Sequence, residues 1–446
     1  MDLSQKLRPY GNPNITPGDR GSSESPAAGP GWVLLNPQLE RRAKDKSCVA
    51  DANTAAACCT SWGQSFTVSF SLAAPPARSS FYCHRLRATH NIDDDDEEGS
   101  MDLSIIAAQD DCVFMQARVP NRHRGYRSIG DFDYFLYETG GATKPPSLSP
   151  LPGCYISMLC ERDKNARHVP SLMPSTRFLA MDNTGVLRLG DGEVLVATLE
   201  IKYDSPNDMA ELCMLPVGGE WALKRVPIVH HEGGVVEDYP EIDAVVIVGV
   251  RFICWVDYLS GFFMFDMEAE ETYQNLVYVP LPVPQPKRRW RNSNRPDMQY
   301  CRNMVAASPN TVRLVNVAPR CCCGGYGKTG CERSRFAFNV TSWTLTLRTE
   351  GPMTWVKDGV LDCDEIWQLP NYGCFPRVAP QYPFVSCDNP DVVCFILCED
   401  HYVIDNADKT VWLLEIDTKS KALLSIVHSD VCPYIEYSQL PAKFYR

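Results

Sequence analysis

The sequence predicts an all-β protein, a β-propeller-like array of short antiparallel sheets, on three observations. Short runs of β-branched and aromatic residues are separated by clusters of Gly, Pro, Asp, Asn and Ser, the pattern of strands joined by tight connections. Groups of such runs recur at intervals of about 45–60 residues, comparable to the ~40–50 residues of a propeller blade. No amphipathic 3.6-residue pattern of helical length interrupts the series. Six or so four-stranded units fit residues 31–446, and radial packing leaves only short, protected edges. The alternative is two packed β-sandwich domains divided near residues 282–303.

Residues 1–30 are rich in Gly, Pro, Ser and Asn and are expected to be disordered, leaving 31–446 as the β domain. Trp32–Leu35 is a short apolar segment, and KDKSCVADANTAAACC after it reads as a weak helix or a loop. Strand character begins with SFTVSF (65–70) and SSFYCHRLRA (79–88), and continues through LSIIAAQ (103–109) and CVFMQARV (112–119). The acidic run at 91–102 repels itself and lacks the spaced ligands and turn glycine of a calcium loop, so it reads as a solvated insertion. DFDYFLYE (131–138) and CYISMLC (154–160) frame a Pro/Gly/Ser linker. In EVLVATLEIKY (193–203), Leu195, Ala197, Leu199, Ile201 and Tyr203 share one face, as in a half-buried strand.

The densest stretch is 243–282. It contains an apolar run at 245–256, a turn at 257–261, a second run at 262–267, an acidic turn at 268–271 and a third run at 276–281. Too few residues separate these runs for a helical crossover, so they form an antiparallel meander. A Pro- and Arg-rich insertion follows at 282–303, and a Cys- and Gly-rich loop insertion at 320–333. Strands resume with TVRLVNV, RFAFNVTSWTLTLR and MTWVKDGVL, and the last group is DVVCFILC (391–398), TVWLLEID (410–417) and ALLSIV (422–427).

The formal net charge of −12 over 446 residues disfavours a general nucleic-acid or anionic-membrane binder, because phosphate neutralisation dominates such affinities. No uninterrupted apolar run reaches the ~18 residues of a membrane span, and the first residues lack the apolar core of a secretory signal. The expectation is an intracellular protein, cytoplasmic or nuclear, with its 20 cysteines reduced.

Several constellations have plainer explanations. GGYGKTG at 324–330 has Cys322 where a phosphate loop needs its first glycine, and a strand rather than a helix follows. Cys301, Cys321, Cys322, Cys323 and Cys331 lack the paired knuckles of a zinc site, and Cys394, Cys398 and His401 lie on or beside an apolar strand. His230, His231 and Glu232 read as a polar loop, since Gly233 and Gly234 break any metalloprotease helix. No catalytic, metal or cofactor residues are assigned. The feature with partner chemistry is the basic cluster Lys287, Arg288, Arg289, Trp290, Arg291 and Arg295, because Arg and Trp dominate binding energetics. Arg288, Arg289, Trp290 and Arg291 are the partner-binding candidates.

The stretch WVDYLSGFFMFDM followed by YVPLP resembles the plant, chiefly grass, family known as domain of unknown function 1618. The residues carrying the likeness are Trp255, Asp257, Gly261, Asp266, Leu281 and Pro282, with GWVLLNP, TSWTLTLR, MTWVKDG, QYPFVSCDNPDVVCFIL and WLLEIDTKSKALLSIV in support. The resemblance implies a domain similar in outline to the propeller-like β domains that accompany F-box segments, with no established biochemical role. No F-box is read in residues 1–30, whose Gly and Pro content opposes helices. The expected function is a non-enzymatic scaffold for binding another protein, with a hydrolase working from the central opening as the alternative.

Overall fold

The computed structural model describes residues 31–40, 53–85, 101–119, 132–141, 144–154, 177–190, 192–201, 209–231, 240–270, 273–284, 295–321, 336–398, 410–429 and 440–444. The expected disordered segment 1–30, the acidic run up to residue 100 and most of 320–333 lie outside these residues.

Six sheet units follow one another along the chain. The first contains β1 (Val33–Leu39), β2 (Ala56–Cys59), β3 (Ser65–Ser71) and β4 (Arg78–Arg85); the second contains β5 (Leu103–Gln109), β6 (Cys112–Arg118), β7 (Phe132–Glu138) and β8 (Ser147–Leu151). The third contains β9 (Thr184–Arg188), β10 (Val194–Ile201), β11 (Met209–Pro216) and β12 (Ala222–His230); the fourth, β13 (Ala244–Val248), β14 (Phe252–Asp257), β15 (Gly261–Asp266) and β16 (Leu276–Pro280). The fifth contains β17 (Arg302–Ser308), β18 (Thr311–Pro319), β19 (Phe338–Thr346) and β20 (Val356–Asp362), followed by the five-residue helix α1 (Cys363–Trp367). The sixth contains β21 (Gln381–Val385), β22 (Val392–Cys398), β23 (Val411–Asp417) and β24 (Ala422–Ser429). A last strand, β25 (Leu440–Ala442), returns to the first unit and pairs antiparallel with β1.

Within units two to six, consecutive strands pair antiparallel, as short connections require. The inner strands then pack side by side: β25 and β1 against β5, β5 against β9, β9 against β13, β13 against β17, and β17 against β21. Trp32 and Leu34 of the first unit pack on Phe384 and Cys394 of the sixth, with the Trp32 and Phe384 rings stacked at 5.9 Å, which completes the ring. Its centre is a channel. The propeller-like all-β architecture is what the sequence predicts. Units four and five share one core, so no division into two sandwiches falls near 282–303.

The apolar run of the fourth unit follows from this geometry. Phe252, Cys254, Val256, Phe262 and Met264 face unit five, while Ile253, Trp255, Phe263 and Phe265 face unit three. A sheet covered on both faces needs no polar alternation, which leaves β14 and β15 apolar up to the aspartate that ends each, Asp257 and Asp266. Burying one such side chain contributes about 1.5–3 kcal/mol.

Four readings of the chain are corrected. The run at 245–256 is two strands, β13 and β14, because Gly249 turns the chain at φ +63°; an added Cβ there would lie 2.5 Å from Pro309 O. The KDKSCVADANTAAACC stretch ends in β2, which pairs with β3 and is neither helix nor loop. The linker after β7 contains β8, whose Pro150 is tolerated because β8 is an outer edge that need not donate there. His230 is the last residue of β12, paired with Tyr278, rather than part of a loop.

Candidate functional site

The channel has a volume of about 260 Å³ and is lined by the inner strands of all six units: β5, β9, β13, β17, β21 and β25. Beside it, and sharing Asp243 and Gln299 with it, lies a recess formed by Asp182, Glu241, Asp243, Arg295, Asp297 and Gln299. These six residues lead into β9, β13 and β17, so three neighbouring units build the recess at one rim of the ring.

Residues of the central meander hold it in place. Trp255 is fully buried, and its indole Nε1 donates to Asn183 O at 2.9 Å, fixing the backbone next to Asp182. Asn183 Oδ1 in turn accepts from Thr184 Oγ1 at 3.0 Å and Thr198 Oγ1 at 3.2 Å. Two residues beyond Trp255, Asp257 ties the β14–β15 turn by accepting from Leu259 N at 2.8 Å and Ser260 Oγ at 2.7 Å. Gly261 completes that turn where a Cβ would meet the Tyr278 ring at 2.5 Å. Trp-x-Asp therefore positions the recess from both sides.

Arg295 is the hub. Its Nη1 and Nη2 donate to Asp243 Oδ1 and Oδ2 at 2.8 and 3.0 Å, a two-pronged pair, and Nη2 also donates to Asp257 Oδ1. Glu241 Oε2 lies 3.5 Å away. Asp243 Oδ2 additionally accepts from Tyr258 N at 2.7 Å, and its carbonyl accepts from Gln299 Nε2 at 2.6 Å. Burial opposes the Arg295 charge, yet Asp243, Asp257 and Glu241 outweigh it and raise the guanidinium pKa. Burial pushes the Asp257 carboxyl up, against the pull of Arg295 and Ser260.

Asp182 and Asp297 differ from these. Both open into the recess, and neither lies within ion-pair distance of a cation among the described residues. Desolvation by the surrounding protein raises the Asp182 carboxyl, and Asp243 and Glu241 push the same way. Desolvation also raises Asp297, with Asp243 adding and Arg295 opposing. Deeper in the channel, burial lowers the Arg302 pKa; its Nε donates to Asn316 Oδ1 at 3.0 Å and its Nη1 to Tyr258 O. Among the described residues, then, two recess carboxyls have no cation within ion-pair distance, while Arg295 beside them is engaged by Asp243, Asp257 and Glu241.

Of the sequence candidates, Arg288, Arg289, Trp290 and Arg291 lie outside the described residues. Arg295, read with them as an exposed docking residue, is instead 12% exposed and committed to Asp243 and Asp257. Cys301 is buried and its thiol donates to Met298 O at 3.5 Å; Cys394 and Cys398 are core residues. Cys321 is half-buried, while Cys322, Cys323, Cys331, His401 and the GGYGKTG stretch lie outside the described residues. Asp362, Cys363 and Asp364 bring three possible ligand atoms within 4.8 Å of one another, but Arg320 already occupies that spot. Its Nε lies 2.6 Å from Asp362 Oδ2, and its Nη2 2.6 Å from Asp364 Oδ2. Asp362 also caps α1 through a reciprocal bond with Glu365.

Sequence reasoning missed Asp182, Asp243 and Asp297, which stand far apart in the chain and share no motif. The available signal was Asp243 and Asp257 flanking a buried pair of strands, since a carboxylate at a strand end next to apolar residues needs a cation.

No helix among the described residues is long and apolar enough to cross a membrane. No curated protein matches the sequence. Among solved structures, the β-propeller domain of the Trilobed protease from Pyrococcus furiosus is similar at 8% identity and TM-score 0.28, over 74% of this chain and 97% of that one. A glycoside hydrolase is similar at 8% identity and TM-score 0.25, over 87% and 89%. Neither superposition is close enough to bear on the site. Residues 255–394, which begin at the Trp255 that anchors the recess, match the DUF1618 family, described as a protein of unknown function.

Proposed function

We propose that the protein is a non-enzymatic scaffold that captures another protein at the rim of its channel, and that the group captured is basic, an ammonium or a guanidinium. The observation carrying this reading is that Asp182 and Asp297 face one recess with no cation in ion-pair distance among the described residues, while Arg295 is taken up by Asp243 and Asp257. An incoming positive charge offsets the desolvation of both carboxyls and the repulsion from Asp243 that raises them. The net charge of −12 favours encounter with a basic partner, and sites on loops held by a rigid frame commonly carry recognition.

The test is calorimetric titration with a short Lys/Arg-rich peptide and its Gln-substituted counterpart, using the wild-type protein and an Asp182→Asn/Asp297→Asn variant. Saturable, salt-sensitive binding of the basic peptide alone, weakened at least about tenfold in the variant, supports the proposal; that loss corresponds to about 1.4 kcal/mol. Equal binding by both proteins, or none by either, overturns it. Cleavage of the peptide would replace it with the hydrolase reading.

A further inference from the structure

Unassigned chemistry lies away from the recess, where unit two meets unit three. Cys154, just after β8, and Cys213, in the middle of β11, are both fully buried, with their side chains close enough to interact. Arg177 engages both residues. Its backbone N–H donates to Cys154 O at 2.9 Å, and its Nη1 donates to Cys213 Sγ at 3.0 Å. The same guanidinium reaches Glu211 Oε2 at 2.7 Å and Glu200 Oε2 at 2.9 Å, which keeps it in place.

The guanidinium N–H therefore points at the Cys213 sulfur, which favours the thiolate there, while the neighbouring Cys154 thiol keeps its proton. The electrostatics agree: the interaction with Cys154 and the charge of Arg177 lower the Cys213 pKa despite burial, while that same interaction raises Cys154. Cys112 and Cys363 also accept a guanidinium N–H, from Arg188 at 3.2 Å and Arg320 at 3.3 Å, but no second described thiol acts on either sulfur. Burial and the adjacent Asp111 push Cys112 up to about 12, and burial alone raises Cys254.

We propose that Cys154 and Cys213 are a redox modification site that closes to a reversible disulfide and staples unit two to unit three. With hydrogen peroxide as oxidant, the Cys213 thiolate attacks one peroxide oxygen, the O–O bond breaks and hydroxide leaves, giving Cys213 sulfenic acid. The Cys154 sulfur then displaces that oxygen: the S–S bond forms, the S–O bond breaks, and the thiol proton leaves with the oxygen as water. In sum, two thiols and one peroxide give one disulfide and two waters, the sulfurs losing the two electrons that the peroxide gains. The link joins residues far apart in sequence, so it restricts the unfolded chain over a long loop.

The test uses the full-length protein treated with graded hydrogen peroxide, alkylated, denatured, digested without reductant and read by mass spectrometry. The expected product is a linked pair of peptides carrying Cys154 and Cys213, lighter than their sum by two hydrogens and separated by dithiothreitol. Peroxide should raise the thermal midpoint of the wild-type protein and leave that of Cys154→Ser unshifted. Recovery of both residues as alkylated thiols, at doses that oxidise other cysteines, overturns the proposal. So does linkage of Cys154 to Cys160 in place of Cys213. Should the serine variant fail to fold, the wild-type peptide map decides alone.

Discussion

Arg295→Met separates a structural arginine from a docking one. The Arg295 side chain is 12% exposed, between Asp243 at 10% and Asp257 at 1%. Methionine fills much of the same volume but leaves two nearly buried carboxylates facing each other. Removing one partner of a buried ion pair costs about 3–5 kcal/mol, whereas a solvated surface change stays within about 0.5 kcal/mol. The pH dependence adds a second signature. The Asp257 pKa already lies above its ordinary 3.8, and losing Arg295 raises it further. A carboxyl raised in the native state binds more protons there than in the unfolded chain, so stability increases as pH falls towards 3.8. The deficit is therefore largest at neutral pH and narrows by about 1.4 kcal/mol for each unit of further upward shift that protonation relieves. Urea unfolding at neutral and mildly acidic pH, fitted with a common slope, measures both. Arg295→Met/Asp257→Asn should be less destabilised than Arg295→Met alone. A deficit below about 1 kcal/mol, or one identical at both pH values, refutes the buried-hub assignment.

Gly249→Ala should destabilise by at least about 1–2 kcal/mol, the cost of a left-handed non-glycine residue, with more from the Pro309 O contact; urea unfolding reads it. Asp182→Asn/Asp297→Asn should be neutral or stabilising at neutral pH, since both carboxyls are raised, and the advantage should vanish as pH falls towards 3.8. Ending the chain before Leu440 removes β25 and uncovers Phe70 and Tyr137, on which Phe444 packs; calorimetry should show a lower midpoint, with increased binding of an apolar dye.

The units with both faces buried were the most legible in sequence. β22 is apolar throughout, and β14 and β15 are apolar up to the aspartate that ends each, so their existence follows from composition; β10 reads in sequence as a half-buried strand but is buried on both faces from Val194 to Leu199. The boundary between β13 and β14 was hidden because one glycine, placed by its contact with Pro309, does what a cluster of turn residues usually does. β8, β21 and β25 each contain proline, which counts against a strand unless its edge position is known. The recess was not legible. Asp182, Asp243 and Asp297 meet only because the chain goes round the ring, and Arg295 sits in a run of arginines that looks uniformly solvated until Asp257 is seen to be buried.

Hydrogen–deuterium exchange with and without the Lys/Arg-rich peptide tests the central claim most directly. Bound peptide should slow exchange at residues 181–184, 241–244 and 295–299, and leave the outer strands β12, β20 and β24 unchanged. Protection confined to those outer strands, or to residues 285–294 alone, would contradict the assignment of the recess as the capturing surface.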